Sequence, residues 1–525
     1  MDNTNSEKAG IRLLDRGPKG LIRCIFGRMG LVLVLLIVKI LYLLSVFMWF
    51  EDYLPQVFGG HALIAVAMVV CLLNSRLDPT AKITWLLLII PLPVFGSMLF
   101  LFTQSELGQR AMKHRLRQLR KATNGAMVQD EDTMATFELE NPGGAAMAHY
   151  VASSGCYPVF SGTETEYFPL GEDKFVRLLQ ELEKAEKFIF LEFFIVEEGV
   201  MWGKILEILA RKAAGGVEVR LMYDGTCEFA LLPKGYPKRL KKLGIGCRVF
   251  SPVTPLISTH YNYRDHRKIC VIDGHTAFTG GINLADEYIN AYEKHGHWKD
   301  TAVMVRGAAA KSFTLMFLQM WNLNEKSPCF EPYLNVQADA CGASGYVMPY
   351  ADDPLDGEKV GKRVYMDLLN RARRYVHIMT PYLILDSELE NALTYAAKRG
   401  VDVKLLLPGV PDKRIPYAMA KTHYRTLLDA GVKIYEYTPG FVHAKVFVVD
   451  DYEAVVGTIN LDYRSLYHHF ECAAYLCGMS CIGDIETDFA ACVEKSRAVT
   501  HQTLRKEKWY MMVVGYIMKL LAPLM

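Results

Sequence analysis

Three apolar runs dominate the first fifth of the chain. Residues 29–50 are almost wholly apolar, with one charge at Lys39, and their length suits a membrane-spanning helix. The run is too long for a cleaved signal peptide. A second run, 57–73, is only just long enough to span, and a third, 83–102, carries Pro91, Pro93 and Gly96, which predict a kink. The tail 1–28 is polar and basic, and the loop 51–55 is acidic. Behind the third run come Arg110, Lys113, Arg115, Arg117, Arg120 and Lys121. Basic flanks belong on the cytoplasmic side, so two full crossings are expected within 29–102, with one of the later runs short, re-entrant or interfacial.

The pattern then changes. Arg110, Lys113, Arg117 and Arg120 fall at helical spacing, with Met112, Leu116 and Leu119 on another face. Such a helix, directly after a membrane segment, suits anionic lipid head groups. Residues 122–148, rich in Gly, Asn and acidic clusters, read as a linker, so 103–148 is basic helix plus linker. From about 149 to 500 apolar strands alternate with helices, twice over. Phe188–Phe194, a helix near Trp202–Ala214 and the strand Gly216–Gly225 are answered by Tyr375–Tyr382, Ser387–Arg399 and Gly400–Gly409. Strand, helix and buried strand in succession predict α/β layers, with one unit over 149–335 and a second over 336–500. Two such halves imply pseudo-twofold symmetry with a site at the seam. The end, 501–525, contains an apolar stretch from Trp509 marked by Lys519 and reads as an interfacial helix.

Hydrophobic residues are 51% of the 525, which fits membrane segments added to globular domains. The formal net charge of +2 gives no reason to expect a nucleic-acid partner. The 12 cysteines are scattered, without the clustered pairs a zinc site needs, and read as free thiols in a reducing compartment.

The chemistry lies in a duplicated segment, within 261–288 and 438–465. His266, Lys268 and Asp273 form His-x-Lys-x4-Asp, as do His443, Lys445 and Asp450. Six residues after each Asp comes a small-residue turn ending in Asn: Gly280-Gly281-Ile282-Asn283 and Gly457-Thr458-Ile459-Asn460. Both ends of the segment repeat at an offset of 177 residues. A lone His-x-Lys carries little weight, whereas two copies in one register are hard to obtain by chance.

Side chains at i and i+2 of a strand project from one face, so each His points with its Lys. Strand ends meeting at the seam would set two imidazoles and two ammonium groups around one phosphate. Asn283 and Asn460 would add amide donors, and Gly280, Gly281, Gly457 and Thr458 would let the backbone approach closely. One imidazole can attack phosphorus while the other protonates the leaving alkoxide. The lysines and asparagines stabilise the charge on the non-bridging oxygens, so neither metal nor cofactor is invoked. Each His needs a carboxylate on its other nitrogen, and the expected partners lie downstream in the same half: Asp300 for His266 and Glu471 for His443. Asp273 and Asp450 complete the motifs but sit too far along the strand to share the phosphate. Hydrogen bonds to neighbouring backbone are expected of them. Arg464 and Ser465 are candidates for the substrate head group, while His260, His275, His295, His297, His468 and His469 read as satisfied polar residues, with those flanking the motifs also placed to line the pocket.

These paired motifs resemble the phospholipase D superfamily. The fuller strings 280–288, 297–301 and 457–466 are similar to those of bacterial cardiolipin synthases, a resemblance extending over roughly 30–525. It implies two tandem phospholipase D-like α/β/α sandwich domains with pseudo-twofold symmetry, preceded by N-terminal transmembrane helices. It also implies a multi-pass protein of the bacterial cell membrane, with its catalytic domains on the cytoplasmic side. The implied reaction passes a phosphatidyl group from one phosphatidylglycerol through a phospho-histidine to another, giving cardiolipin and glycerol. The N-terminal motif His, here His266, would be the nucleophile and His443 the acid. Gly281 departs mildly from the Ser often found there. The same motifs would serve a membrane-bound hydrolase, a transferase using another alcohol or, less readily, a nuclease.

Overall fold

Two mixed sheets grow outward from the apolar strands that the sequence pairs with helices. The computed structural model describes residues 45, 60–75, 77–104, 110–155, 157–252, 263–335 and 342–524. The basic tail 1–28, almost all of the run 29–50 and His260 lie outside the described residues. In the first sheet the strands are β1 (Glu164–Phe168), β2 (Phe188–Phe193), β3 (Glu218–Asp224), β4 (Gly246–Phe250), β5 (Lys268–Ile272), β6 (Thr276–Gly280) and β7 (Ala302–Arg306). Their order is β1-β7-β6-β5-β2-β3-β4. The βαβ half, β2-β3-β4, is parallel, and the hairpin half joins it antiparallel through the β2–β5 pair.

Strand residues alternate between two cores, as a period of 2 requires. Ile189, Leu191 and Phe193 meet the helices Gly171–Lys184 and Val200–Ala214, whose Leu178, Leu182, Ile205 and Leu209 are fully buried. Phe188 and Phe190 face the other way, where Phe190 stacks on Phe317 of the helix Ala310–Trp321 at 4.7 Å. Both faces are covered, which is why these strands read as unbroken apolar runs rather than alternating ones.

The second half repeats the plan with β8 (Tyr346–Asp352), β9 (Tyr375–Met379), β10 (Asp402–Pro408), β11 (Lys433–Tyr437), β12 (Val446–Val449), β13 (Glu453–Gly457), β14 (His469–Cys477) and β15 (Ser496–Ala498). The order is β8-β14-β13-β12-β9-β10-β11-β15. One continuous core contains Phe190, Val271 and Phe317 of the first half with Val347, Ile378 and Tyr475 of the second. Two short parallel pairings stitch the halves further. Arg264–Asp265 lies beside His469–Phe470, and Gly440–Val442 beside His297–Lys299. Each pairing immediately precedes a motif histidine.

Two expectations need correction. Residues 122–148 are no linker: helices Glu131–Glu140 and Pro142–Gly155 occupy most of the span. Asp130 caps the first, Pro142 starts the second, and Gly144 gives room for Asn141 and Tyr475, so the turn-like residues sit at helix ends. Phe137 of the first packs on Tyr346 at 4.6 Å. The later apolar runs also differ from spans. They form helices Gly60–Leu73, Pro79–Ile89 and Pro93–Gln104 of 14, 11 and 12 residues, the third run being broken at its prolines. Among the described residues no helix is long and apolar enough to cross a membrane.

The basic segment does form a helix, Arg110–Thr123, burying Leu116 and Leu119. Part of its charge is turned inward, since Arg120 donates to Asp353 at 2.5 Å and to Asp356 at 2.7 Å. The terminal helix Trp509–Leu521 lies on the helix Arg414–Asp429, with Gly515 close against the Ala418 carbonyl.

Candidate active site

Each motif strand enters from the seam and leaves through a tight turn at its Asp. Asp273 and Asp450 adopt positive φ of 52° and 55°, a conformation Asp tolerates better than most residues. Asp273 accepts from the backbone N–H groups of Glu186, Lys187 and Phe188 at 2.7–2.8 Å. Asp450 accepts from those of Arg373, Arg374 and Tyr375, each at 2.8 Å. Both pin the motif strand to the start of its neighbour, at the opposite end from His and Lys, so neither carboxylate reaches the reacting group.

At the other end the halves exchange partners. His266 N–H donates to the Phe470 carbonyl at 3.0 Å, and His443 N–H to the Lys299 carbonyl at 2.7 Å. The next residues are Glu471 and Asp300, whose carboxylates are thereby delivered to the imidazoles. His266 Nδ1 lies 2.9 Å from Glu471 Oε1, and His443 Nδ1 lies 2.6 Å from Asp300 Oδ2. The expected pairing within each half is therefore corrected: every motif histidine takes its carboxylate from the opposite half. The backbone bond between halves fixes the exchange, because it places the following side chain under the ring.

Burial lowers the His266 imidazole well below its ordinary value, against the attraction of Glu471. His443 is pushed down to about 4 by burial and by Lys445, which Asp300 opposes. Burial alone would raise the Glu471 carboxyl, but its bond to the His266 ring outweighs this and holds it below the usual carboxylate range. With Nδ1 facing a carboxylate, Nε2 of each ring is the unprotonated, nucleophilic nitrogen.

Lys268 and Lys445 are both buried and both fold back, their Nζ donating to the carbonyls of His266 (2.6 Å) and His443. Burial lowers Lys268 to about 8 and Lys445 to about 7, with Asp300 and Glu471 opposing the shift in each. Each lysine thus feels the carboxylates of both halves, which marks one shared electrostatic site. An arriving phosphate would restore their full charge.

The remaining candidates divide. Asn283 accepts from Ile195 N–H at 3.0 Å and donates to Tyr288 Oη at 2.8 Å, so part of its amide is spent on protein. Asn460 is buried, and its Oδ1 makes no hydrogen bond within the described residues. Thr458 is corrected: its hydroxyl donates to Glu471 Oε2 and receives Cys472 N–H at 3.0 Å, standing behind the histidine rather than toward a phosphate. The glycines allow close approach of other parts of the protein. A Cβ at Gly280 would meet the Thr301 carbonyl at 2.3 Å, and one at Gly457 the Cys472 carbonyl at 2.5 Å. A Cβ at Gly281, the position equivalent to Thr458, would lie 2.0 Å from Asp300 Oδ1. The departure at 281 therefore has a cause, since Asp300 needs that space. Gly281→Ala is expected to displace Asp300 and lower turnover about a hundredfold, with little loss of melting temperature; an unchanged rate would show that Asp300 tolerates the shift. Arg464 is exposed, while Ser465 is buried at the start of a short helix with its backbone N–H on Asp462 at 2.9 Å.

Sequence reading missed the aromatic walls. Phe194 lies 5.0 Å from the His266 ring, and Tyr288 and Trp298 each lie 5.5 Å from that of His443. Tyr288 and Trp298 lie inside the strings 280–288 and 297–301, which was the available signal, while Phe194 only ends the apolar strand run 188–194. His469, expected as a satisfied polar residue or part of the pocket lining, stands 5.3 Å from the His266 ring and 3.7 Å from Glu471. His266, His469 and Glu471 also bring ligand-capable atoms within 4.8 Å of one another, a geometry open to a metal ion. An ion there would engage the His266 imidazole.

Comparison with known proteins agrees with this geometry. The family described as "Cardiolipin synthase, PLD-like domain" matches residues 178–321 and 365–493. A Streptococcus mutans protein without assigned function is 54% identical over 88% of this chain and the whole of its own. A protein of Halalkalibacterium halodurans named cardiolipin synthase is 33% identical over 95% of this chain and all of its own. One of the same name from a Geobacillus strain is 34% identical, covering 88% and 92%. Among solved structures, phosphatidylserine synthase of Haemophilus influenzae superposes with a TM-score of 0.53 at 14% identity, over 69% of this chain and 93% of that one. That likeness establishes the fold, two tandem phospholipase D-like α/β domains. By its matched domains and by relatives aligned over nearly its whole length, the chain belongs to the cardiolipin synthase family of phospholipase D-like proteins.

Proposed function

We propose that this protein is a phosphatidyltransferase that converts two phosphatidylglycerol molecules into cardiolipin and glycerol. The observation that carries the reading is the reciprocal exchange of carboxylates, which arms two imidazoles from different halves at one site. His266 attacks phosphorus through Nε2, and His443, lowered by burial but drawn to its charged form by the negative phosphate beside it, gives its proton to the departing glycerol oxygen. His443 then accepts the proton of the incoming hydroxyl as that oxygen displaces His266. Lys268 and Lys445, with the amides of Asn283 and Asn460, neutralise the charge on the non-bridging oxygens. Asp300 and Glu471 hold the ring tautomers. Incubating the purified full chain with phosphatidylglycerol in detergent should yield cardiolipin and glycerol. Phosphatidic acid without cardiolipin would make it a hydrolase instead. Loss of activity in EDTA, restored by a divalent ion, would overturn the metal-free mechanism.

The lowered lysines set the pH dependence. A lysine protonates below its own value, so the site loses positive charge as pH rises through about 7 to 8. Specificity for the anionic substrate, kcat/KM, is expected to fall above that range, each lysine lost weakening phosphate binding. The acidic limb should lie below the ordinary imidazole range, because burial keeps the nucleophile unprotonated through it. A profile still rising at pH 9 would remove the lysines from phosphate binding.

Attachment to the cytoplasmic face of the cell membrane is part of the same reading. Large apolar side chains stand exposed on the helices of residues 60–104 (Leu63, Val66, Ile83, Leu87, Met98) and on the terminal helix (Trp509, Tyr516, Ile517). A surface of this kind suits a bilayer interface. Units over 149–335 and 336–500, each carrying one motif, remain the natural division of the catalytic part.

A further inference from the structure

A cavity of about 640 Å³ opens beside the second half, between the helix Arg414–Asp429 and the end of the chain. Its walls include Ile384, Ile415 and Met419, and three cations line it: Lys413, Arg414 and Arg464. Asp462 is the single acid among the described residues that line it, and its carboxylate accepts Ser465 N–H at 2.9 Å as the cap of a short helix. The cavity is therefore apolar within and positively charged beside it. That combination fits a molecule with a hydrocarbon chain and an anionic phosphate.

Two observations connect this cavity to the bilayer face and to the reacting centre. Ala522, in its wall, directly follows the terminal helix whose Trp509, Tyr516, Ile517 and Leu520 are exposed. The helix Pro79–Ile89 meets the same corner, Thr84 Oγ1 donating to the Leu520 carbonyl at 2.6 Å, and exposes Ile83 and Leu87. On the inner side Tyr382 lines the cavity, lies 6.4 Å from Phe441, and Phe441 lies 5.8 Å from the His443 ring. The short stretch from Asn460 to Arg464 runs from the site into the cavity wall. The cavity is thus on the His443 side, the side from which the second half-reaction takes its hydroxyl.

Resting on the function proposed above, we infer that this cavity is the acceptor-lipid site. It would hold an anionic glycerophospholipid with one acyl chain between Ile384, Ile415 and Met419 and its phosphate facing Lys413, Arg414 and Arg464. The terminal glycerol hydroxyl then reaches phosphorus. Its oxygen forms the new P–O bond as the P–N bond to His266 breaks, its proton passes to His443, and the electron pair of the broken bond returns to the His266 nitrogen. The donor's diacylglycerol needs a place of its own, since it stays joined to His266 through the phosphate while the acceptor reacts.

The test separates the two half-reactions in the full-length protein. Ile415 is 42% exposed and Arg414 is exposed, so Ile415→Asp and Arg414→Glu alter the cavity without touching the core. Mixing excess enzyme with phosphatidylglycerol and following the first glycerol released reports the donor step. Steady-state cardiolipin formation reports both. The variants should release the first glycerol within about twofold of the wild-type rate yet make cardiolipin at least about tenfold more slowly, the cost of losing one charge-assisted contact. Melting temperatures close to wild type accompany that result. Equal slowing of both steps, or no slowing of either, overturns the assignment. Wild-type protein that makes no cardiolipin at all would refute the underlying reaction instead, a different outcome from the first two.

Discussion

Alanine at His266 is expected to abolish cardiolipin formation while leaving the protein folded. Loss of a nucleophile costs roughly 10⁴- to 10⁶-fold in turnover. Alanine at His443 removes acid and base together and should cost about 10²- to 10⁴-fold. The two variants differ in what accumulates. With His443→Ala the attack still places a phosphatidyl group on His266, slowly, and resolution then lacks its base, so labelled lipid should stay with the protein. With His266→Ala no label should be trapped. Label on His443 in place of His266 would reverse the roles. Both rings are buried, His266 beside Phe194 and His443 against Tyr288, Trp298 and Phe441 of the first core, so circular dichroism should be retained with a modest fall in melting temperature. A gross loss of structure would make the rate uninterpretable. In that case His266→Asn, which keeps a polar group on the backbone bonded to Phe470, is the variant to measure.

Glu471→Gln and Asp300→Asn carry the next largest effect, and their pattern tests the exchange between halves. An amide in place of the carboxylate keeps the shape but favours the wrong imidazole tautomer, a change worth roughly 10³- to 10⁴-fold in a comparable triad. Glu471 stands on His266, so Glu471→Gln should slow formation of the phosphatidyl-enzyme and the first release of glycerol. Asp300 stands on His443, so Asp300→Asn should impair proton transfer in both steps. Double variants separate crossed from uncrossed pairing. His266→Ala with Glu471→Gln should be no worse than His266→Ala alone, because the carboxylate acts through a ring already absent. Were Glu471→Gln instead silent in the His443→Ala background, the pairing within each half would be restored and the observed exchange would have no catalytic meaning. Glu471 loses more than a ring on substitution, since Thr458 also donates to it. Thr458→Val should therefore reproduce a part of its effect.

Much of the architecture was legible because strands buried on both faces leave an uninterrupted apolar signature. Phe188–Phe193 and Tyr375–Met379 fall within the strands expected, with the helices Val200–Ala214 and Ser387–Lys398 behind them. The backbone role of Asp273 and Asp450 was legible too, from strand periodicity alone. The stretch 122–148 was misread because residues that cap or begin a helix, such as Asp130 and Pro142, are also those that make turns. The protein neighbours of the glycines were not legible for a related reason. Sequence shows that a side chain is missing, not which neighbour fills its place, and at Gly281 the neighbour is Asp300.

The duplicated motif was enough, without coordinates, to expect two imidazoles and two ammonium groups around one phosphate, since His, Lys, Asp and Asn recur in the same register. Which carboxylate serves which histidine was decided only by the tertiary structure. Proximity along the chain favoured Asp300 for His266, but the parallel pairing of Arg264–Asp265 with His469–Phe470, and of Gly440–Val442 with His297–Lys299, carries each carboxylate across the seam. Hydrogen bonds between distant segments set those positions, and no local spacing encodes them.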